Sequence, residues 1–508
     1  MGLVSASFAI LVFIWIVHFI IKKLRIMLKQ INVLQGPPAL PFIGNLHQFH
    51  FKSDEFFEQA QGLAYMLQAH EERICRVWIG PWPWVLLYGA EECEAILGNN
   101  KILDKPLQYG FLSGWIGQGL LISEPKKWRS RRKLLTPTFH YDILKDFVGV
   151  YNKHGRILMR KFQALCGDQY NDIFHMISLC TLDVICEAAL GIDVDAQNKS
   201  SPYLDAVCKI KYMIHQRTLK IYFYSNIIYN IFGNGKDEKK CIEILHKFTG
   251  TAIANRKRLI DEAGGVDKLM EKETISGKRR IAFLDFMLDL HAKSELPMEG
   301  VQEEVDTFTF EAHDTTSTNM NWFLHLMGTH PEIQAKIQKE IDEVLGEDIP
   351  ITYEDIGQLK FLEACIKETL RLFPSVPMQA RQLTKATKIG NRILPSGTGV
   401  VIIASMVHRD VRYWPDPEIF KPERFIGNQS RHPFSYIPFS AGSRNCIGQR
   451  FALMEEKCIL ALLMRNLKVK SKLRTDQMRV SAELVIRPLY GNNIRFEPRK
   501  FGDYVQIT

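Results

Sequence analysis

Apolar residues recur at three- and four-residue spacing through Val148 to Leu165, Ile177 to Leu190 and Val301 to Met327, the period of helices with a buried face. Alternation is rarer; Arg76 to Ile79 and Val85 to Tyr88 predict a strand pair. Near the end, Leu484 to Arg487 and Ile494 to Glu497 flank Gly491-Asn492-Asn493, which predicts a hairpin. The pattern as a whole predicts one large, mainly α domain with small β-sheets over residues 42–508. The start of the chain departs from it, because Leu3 to Ile21 is apolar except at Ser5, Ser7 and His18. Those nineteen residues, at about 1.5 Å each, span about 28 Å, close to the hydrocarbon thickness of a bilayer.

Lys22, Lys23, Arg25 and Lys29 follow at once, so the positive-inside rule places the rest of the chain in the cytosol. A cleaved secretory signal is the alternative. Against it, the apolar run exceeds a typical h-region, no small-residue cleavage site follows, and the basic flank is on the wrong side. Residues 1–21 are therefore expected to be a single-pass anchor. Residues 22–41, basic and closing on Gly36-Pro37-Pro38-Ala39-Leu40-Pro41, are expected to be a stiff linker.

Charge and cysteine usage narrow the partners. Lys+Arg 65 against Asp+Glu 56 gives +9, which suits an anionic membrane surface or an acidic protein. No zinc-finger or RNA-binding motif is present, so no nucleic acid is expected as a partner. The 10 cysteines are scattered without CxxC pairs, which argues against a disulfide framework and a structural zinc site and for a reducing compartment.

One cysteine stands in a distinctive setting, Phe439-Ser-Ala-Gly442-Ser-Arg444-Asn-Cys446-Ile-Gly448. A buried structural cysteine is the bland reading of any lone Cys, but this spacing arises by chance on the order of once in several thousand chains. A haem explains each position. Cys446 would ligate the iron as a thiolate, whose electron donation favours O–O cleavage. Gly442 and Gly448 would let the backbone turn against a flat macrocycle. Backbone N–H groups at the helix start near Gly448 would stabilise the sulfur's charge. Arg444 would pair with a propionate and Phe439 pack beside the thiolate.

The segment resembles the haem-binding loop of cytochromes P450, and the resemblance extends over nearly the whole chain. Glu368-Thr-Leu-Arg371 resembles the family's ExxR motif, with both charges on one helix face. With Arg424 of Pro422-Glu423-Arg424-Phe425 it implies the buried Glu-Arg-Arg triad that supports the cysteine loop. Trp128 and Arg132 resemble the family's WxxxR, with Arg132 facing a propionate, and Arg381 is a further propionate partner. Glu311-Ala312-His313-Asp314-Thr315-Thr316 matches the oxygen-activating helix, so Asp314 and Thr315 are the implied catalytic acid–alcohol pair. Ala312 departs from the usual glycine, and its methyl would narrow the groove. The run Glu304 to Thr316, with Thr181-Leu-Asp-Val-Ile-Cys-Glu187, is similar to the fatty-acid ω-hydroxylase subgroup (family 4), in wording close to arthropod members.

This resemblance implies the cytochrome P450 fold, haem b (iron protoporphyrin IX) as cofactor, and hydroxylation of a long apolar substrate. Electrons would come from NADPH through NADPH-cytochrome P450 reductase, with cytochrome b5 a second donor, at the endoplasmic reticulum membrane. Lys126, Lys127, Arg129 and Lys133, opposite the Trp128–Arg132 face, are candidate reductase contacts. By analogy parts of Tyr109 to Leu120, Phe308, Val376 to Met378 and the strand around Leu484 line the substrate pocket. Two readings of Glu311 stand: an ester to a haem methyl, as the subgroup implies, or a carboxylate paired with a base at the helix flank. Fatty acids, terpenoid hormones, pheromone precursors and lipophilic xenobiotics all remain open as substrates. A haem-thiolate isomerase acting on preformed peroxides would not need Asp314–Thr315, and a haem sensor would have no use for the proton relay.

Overall fold

The computed structural model describes residues 12–502 apart from 16–17, 20–21, 23–24, 276–281, 347–349 and 428–429. Most of the apolar 3–21 stretch lies outside the described residues, and no described helix is long and apolar enough to cross a membrane.

The helical periodicities correspond to helices. We number those that build the site: α1 (Pro125–Leu135), α2 (Val148–Ala164), α3 (Phe174–Leu190), α4 (Pro202–Leu219), α5 (Gly235–Ala263), α6 (Met298–Thr329), α7 (Lys360–Leu372) and α8 (Gln449–Asn466). The central helix is α6, buried along most of its length against α3, α5 and α7. Its many hydroxyls could not be buried unpaired without cost. They satisfy themselves locally: Thr307, Thr309, Thr315, Thr316 and Thr318 each donate to the carbonyl four residues back. A polar sequence can therefore run through an apolar core.

Beside the helices lies a four-stranded sheet of β1 (Ile74–Ile79), β2 (Trp82–Leu87), β3 (Gln379–Gln382) and β4 (Gly399–Ile402), in spatial order β1-β2-β4-β3. The predicted pairing of the first two strands is present, with Arg76 opposite Val85. The expected linker is packed from Ile31 onward: Ile31 and Leu34 are buried in the same core as Val85 and Leu87. The prolines behind them are tied to β1, since Arg76 N–H donates to Gln35 O (2.8 Å) and Arg76 Nη1 to Pro37 O (3.1 Å).

The predicted C-terminal hairpin does not form. The tail folds as β5 (Leu467–Ser471), β6 (Val480–Ala482), β7 (Ile486–Pro488) and β8 (Asn493–Pro498). β7 pairs with β6, and β8 with β5 and Asn171–Asp172. The Gly-Asn-Asn stretch is held elsewhere: Asn492 Nδ2 donates to Asn321 O on α6 (2.7 Å) and its backbone N–H to Asp172 Oδ1 (3.0 Å). At Gly491, φ is 75° and a Cβ would come within 2.5 Å of the Asp172 carboxylate. Tertiary bonds thus override a local turn signal.

Trp322, fully buried on α6, stacks on Phe373 beyond α7 with ring centroids 4.0 Å apart. Trp322→Ala is expected to cost about 3–5 kcal/mol, read as a fall in denaturant midpoint. A loss below about 1 kcal/mol would show that this stack does not join α6 to α7.

Candidate active site

A cavity of about 640 Å³ lies between α6 and the loop that precedes α8. Cys446 lines it from the loop, and Phe308, Glu311, Ala312, Asp314 and Thr315 from α6. Trp128, Arg132, Phe439 and Arg444 line it too, as do Val376, Met378 and Leu484. Arg381 does not reach the lining; it is buried on β3 beside Ala380, whose carbonyl accepts from its Nη1 (3.0 Å).

Cys446 is accessible by area, but what it faces is this interior cavity rather than bulk water. Its N–H donates to Phe439 O (2.9 Å), closing the loop. Burial, then the charge of Glu311, pushes the thiol up to about 11, against the backbone N–H groups of Gly448 and Gln449 and the charge of Arg132, which favour the thiolate. The thiol therefore keeps its proton at neutral pH until a bound metal displaces it, and the amide N–H groups then stabilise the thiolate. Gly442 is required for a different reason from the expected one. Its φ is 73°, and a Cβ would come within 1.8 Å of the Leu97 carbonyl oxygen. A Cβ on Gly448 would meet nothing closer than Cys446 Sγ at 4.0 Å.

Behind the loop, Glu368 accepts from Arg371 Nε (2.7 Å) and Nη2 (2.8 Å), and Arg424 Nε lies 3.4 Å from the same carboxylate. The remaining Arg371 donors reach the carbonyls of His408 (3.0 Å), Pro417 (2.7 Å) and Ile419 (3.2 Å). His408, which the motifs did not single out, joins this group to the loop. Its Nδ1–H donates to Arg371 O (3.2 Å) and its Nε2 accepts from Ile437 N–H (2.8 Å). That pattern requires the neutral ring, and burial with nearby Arg371 and Arg409 pushes its pKa down to about 3.

The cations around the cavity outnumber the carboxylates that act on them. Arg132 donates to Asn445 O (2.7 Å) and Oδ1 (2.8 Å). Arg444 is buried, donating to the carbonyls of Leu103 (2.5 Å), Leu121 (3.1 Å) and Ser123 (2.8 Å), while its Nε has no partner. Burial and then the neighbouring charge of Arg381 lower its pKa to about 10. Lys105, missed in the sequence, also lines the cavity, and burial with Arg381 and Arg444 holds it well below the ordinary lysine range. Asp104 and Glu311 are the carboxylates that act on Arg444; burial raises Glu311 to about 7, opposed by Lys105 and Arg444. A cationic cluster only partly balanced, with a guanidinium nitrogen orphaned among the described residues, fits a ligand that brings carboxylates of its own. Together with a cysteine backed by amide N–H groups, it fits a haem with two propionates.

Two expectations are modified by the geometry. Asp314 is not a free acid: Lys211 Nζ of α4 donates to both its oxygens (2.6 and 2.7 Å), with both side chains buried. Thr315 donates to Glu311 O (2.7 Å). Lys127 is not a free surface cation either, because it is bonded to Glu303 of α6 at 2.7 and 2.9 Å; Lys126, Arg129 and Lys133 are exposed.

Comparison with known proteins agrees with this chemistry. The family profile described as Cytochrome P450 matches residues 34–494, beginning where Leu34 enters the core. Cytochrome P450 4V2 of Mus musculus is 42% identical over 476 residues, covering 92% of this chain and 89% of its own length. The Homo sapiens protein of the same name is 42% identical over 469 residues, covering 91% and 89%. Cytochrome P450 4c3 of Drosophila melanogaster is 39% identical over 490 residues, covering 94% and 91%. With Cys446 and its supporting charges in place and relatives of family 4 along nearly its full length, the chain belongs to the cytochrome P450 family and is a mono-oxygenase.

Proposed function

We propose that this mono-oxygenase hydroxylates a long apolar substrate, a fatty acid or a lipophile of similar shape, with O2 and electrons from NADPH relayed by NADPH-cytochrome P450 reductase. Cytochrome b5 is a second donor. The observation that carries this reading is one apolar cavity holding both Cys446 and the Asp314–Thr315 pair, with aromatic and aliphatic walls from Phe308, Val376, Met378 and Leu484. Such walls bind hydrocarbon by burying it and offer few polar groups to orient anything else. Bound through Cys446, the haem would supply the redox chemistry that inserts oxygen into a C–H bond. Arg132, Arg444, Lys105 and, behind them, Arg381 would balance its propionates.

The chain's own contribution on the α6 side is control of protons. The Thr315 hydroxyl can donate into the cavity only by releasing Glu311 O, and Asp314 can exchange a proton only by releasing Lys211. Both groups are thus engaged at rest, and either must break one bond before it can pass a proton. Glu311 faces the cavity, and among the described residues no donor engages its carboxylate. That supports an ester to a haem methyl over an ion pair at the helix flank. The apolar 3–21 stretch supports a single-pass anchor in the endoplasmic reticulum membrane with the domain in the cytosol. Exposed Phe42, Ile227, Ile231 and Phe232 offer further apolar contact with lipid.

Reduced protein with carbon monoxide is expected to show the thiolate Soret band, and with NADPH and reductase to consume oxygen with a lipid that shifts the resting spectrum. Cys446→Ser should lose both; retention of either would refute Cys446 as the ligand. Lys211→Met leaves a buried carboxylate unpaired and is expected to cost about 3–5 kcal/mol, largely regained in Lys211→Met with Asp314→Asn. Equal denaturant midpoints for the single and double variants would show that the pair is not coupled. After several turnovers, acid denaturation and chromatography should find haem retained on the polypeptide and released from Glu311→Gly. Complete release from the parent protein would rule out the ester.

A further inference from the structure

Residues 117–123 cross the cavity between α6 and the cysteine loop, and both edges of this strap are bonded. On the α6 edge, Gln118 N–H donates to Glu303 Oε1 (2.9 Å) and Leu120 N–H to Glu304 Oε2 (3.0 Å). On the other edge, the carbonyls of Leu121 and Ser123 accept from Arg444 Nη2 at 3.1 and 2.8 Å. The backbone lies flush on the helix. At Gly119 a Cβ would come within 2.1 Å of Thr307 Oγ1 and 2.8 Å of Glu303 O; at Gly117, where φ is 54°, it would meet Glu303 Cγ at 2.6 Å. Between these bonds Leu120 and Leu121 form cavity wall.

Two carboxylates side by side in a core repel each other and are costly without cations. Both cations come from α1. Arg131 Nη1 donates to Glu304 Oε1 (3.1 Å) and to Gly300 O (3.1 Å), and its Nη2 lies 3.6 Å from Glu303. Lys127 grips both oxygens of Glu303 from the surface side. The mutual support of α1 and α6 thus leaves one oxygen of each carboxylate aimed at a strap amide. A plain packing role would not need charged acceptors on successive α6 residues, nor glycines on the strap opposite them.

We propose that Glu303 and Glu304 are specificity-determining positioning residues, which fix the 117–123 strap on α6 and so set where Leu120 and Leu121 bound the substrate space. The width of the cavity at this wall is then governed by carboxylates that touch no substrate. Lys127, through Glu303, links that wall to the protein surface. The selectivity part rests on the mono-oxygenase reading of the cavity; the positioning part does not.

Hydrogen exchange of the full-chain haem protein, read by mass spectrometry over 117–123, tests the positioning. Glu303→Ala and Glu304→Ala are each expected to speed exchange of the strap amides about tenfold, the loss of one charge-assisted bond. Lys127→Met keeps both carboxylates and should speed Gln118 while leaving Leu120 unchanged, so the idea stays testable if an alanine variant folds poorly. Optical titration with a linear alkyl imidazole and with a bulky aryl imidazole tests the selectivity. Binding of the bulky ligand relative to the linear one should shift roughly tenfold in the Glu303 and Glu304 variants. Unchanged exchange in all three variants overturns the proposal, and so does faster exchange with an unchanged ligand ratio. If no imidazole moves the Soret band of the parent protein while exchange responds as expected, the haem reading fails and the strap stands.

Discussion

The guanidinium of Arg371 is the interaction on which the thiolate side of the molecule depends. It is completely buried, as is Glu368, and a buried ion pair stabilises only when its remaining hydrogen-bonding capacity is filled. Glu368 supplies two acceptors, and three more are backbone carbonyls, of His408, Pro417 and Ile419. Carbonyls in a chain segment without regular structure need donors, and one cation serves three of them. The segment from His408 to Phe420 thus gains a fixed course that its own sequence could not impose. His408 passes that order on to Ile437, two residues before Phe439, whose carbonyl closes the loop on the Cys446 amide. Packing of the Cβ-free Gly442 against Leu97 O completes the seat.

The opposite wall is ordered by another means. α6 must be buried to form a cavity, yet it brings polar groups to the cavity lining. Hydroxyls bonded to carbonyls one turn back let it do both, since each can swing outward at the cost of one local bond. The cysteine side is held by bonds between residues far apart in sequence, whereas on α6 only the hydroxyls are held locally.

How much of this was legible in the sequence follows from the range of the interactions. The Cys446 loop, the Glu368–Arg371 spacing and the helical stripes are local patterns that predicted elements, whereas their arrangement around one pocket came only from the family resemblance. The hairpin around Gly491-Asn492-Asn493 was misread because Asn492 finds its partners at Asn321 and Asp172, far away in the chain. Nor could local spacing show that Lys127, a candidate reductase contact, is bonded to Glu303, or that Ile31 and Leu34 of the expected linker pack in the sheet core. Lys105, Lys211 and His408 carried no signal because a lone cation or imidazole looks the same in any helix or loop. Only the fold brings Lys105 to Arg444, Lys211 to Asp314 and His408 to Arg371.

These distant partners turn α6 into a ladder of carboxylates answered by three neighbouring helices. Glu303 and Glu304 are met by α1, Asp306 by Thr249 of α5, and Asp314 by Lys211 of α4. Each rung joins α6 to a neighbour through a bond that tolerates little change in distance, whereas apolar packing could slide. Glu311 breaks the series. It sits where the ladder crosses the cavity, with cations near enough to oppose its rise to about 7 but with no hydrogen bond from any described donor. A carboxylate in that state is the least committed charge on the helix. Among the described residues, Glu311 is the cavity-lining α6 carboxylate without a hydrogen-bond donor, and it faces the same cavity as Cys446, so its charge is left to whatever the cavity binds.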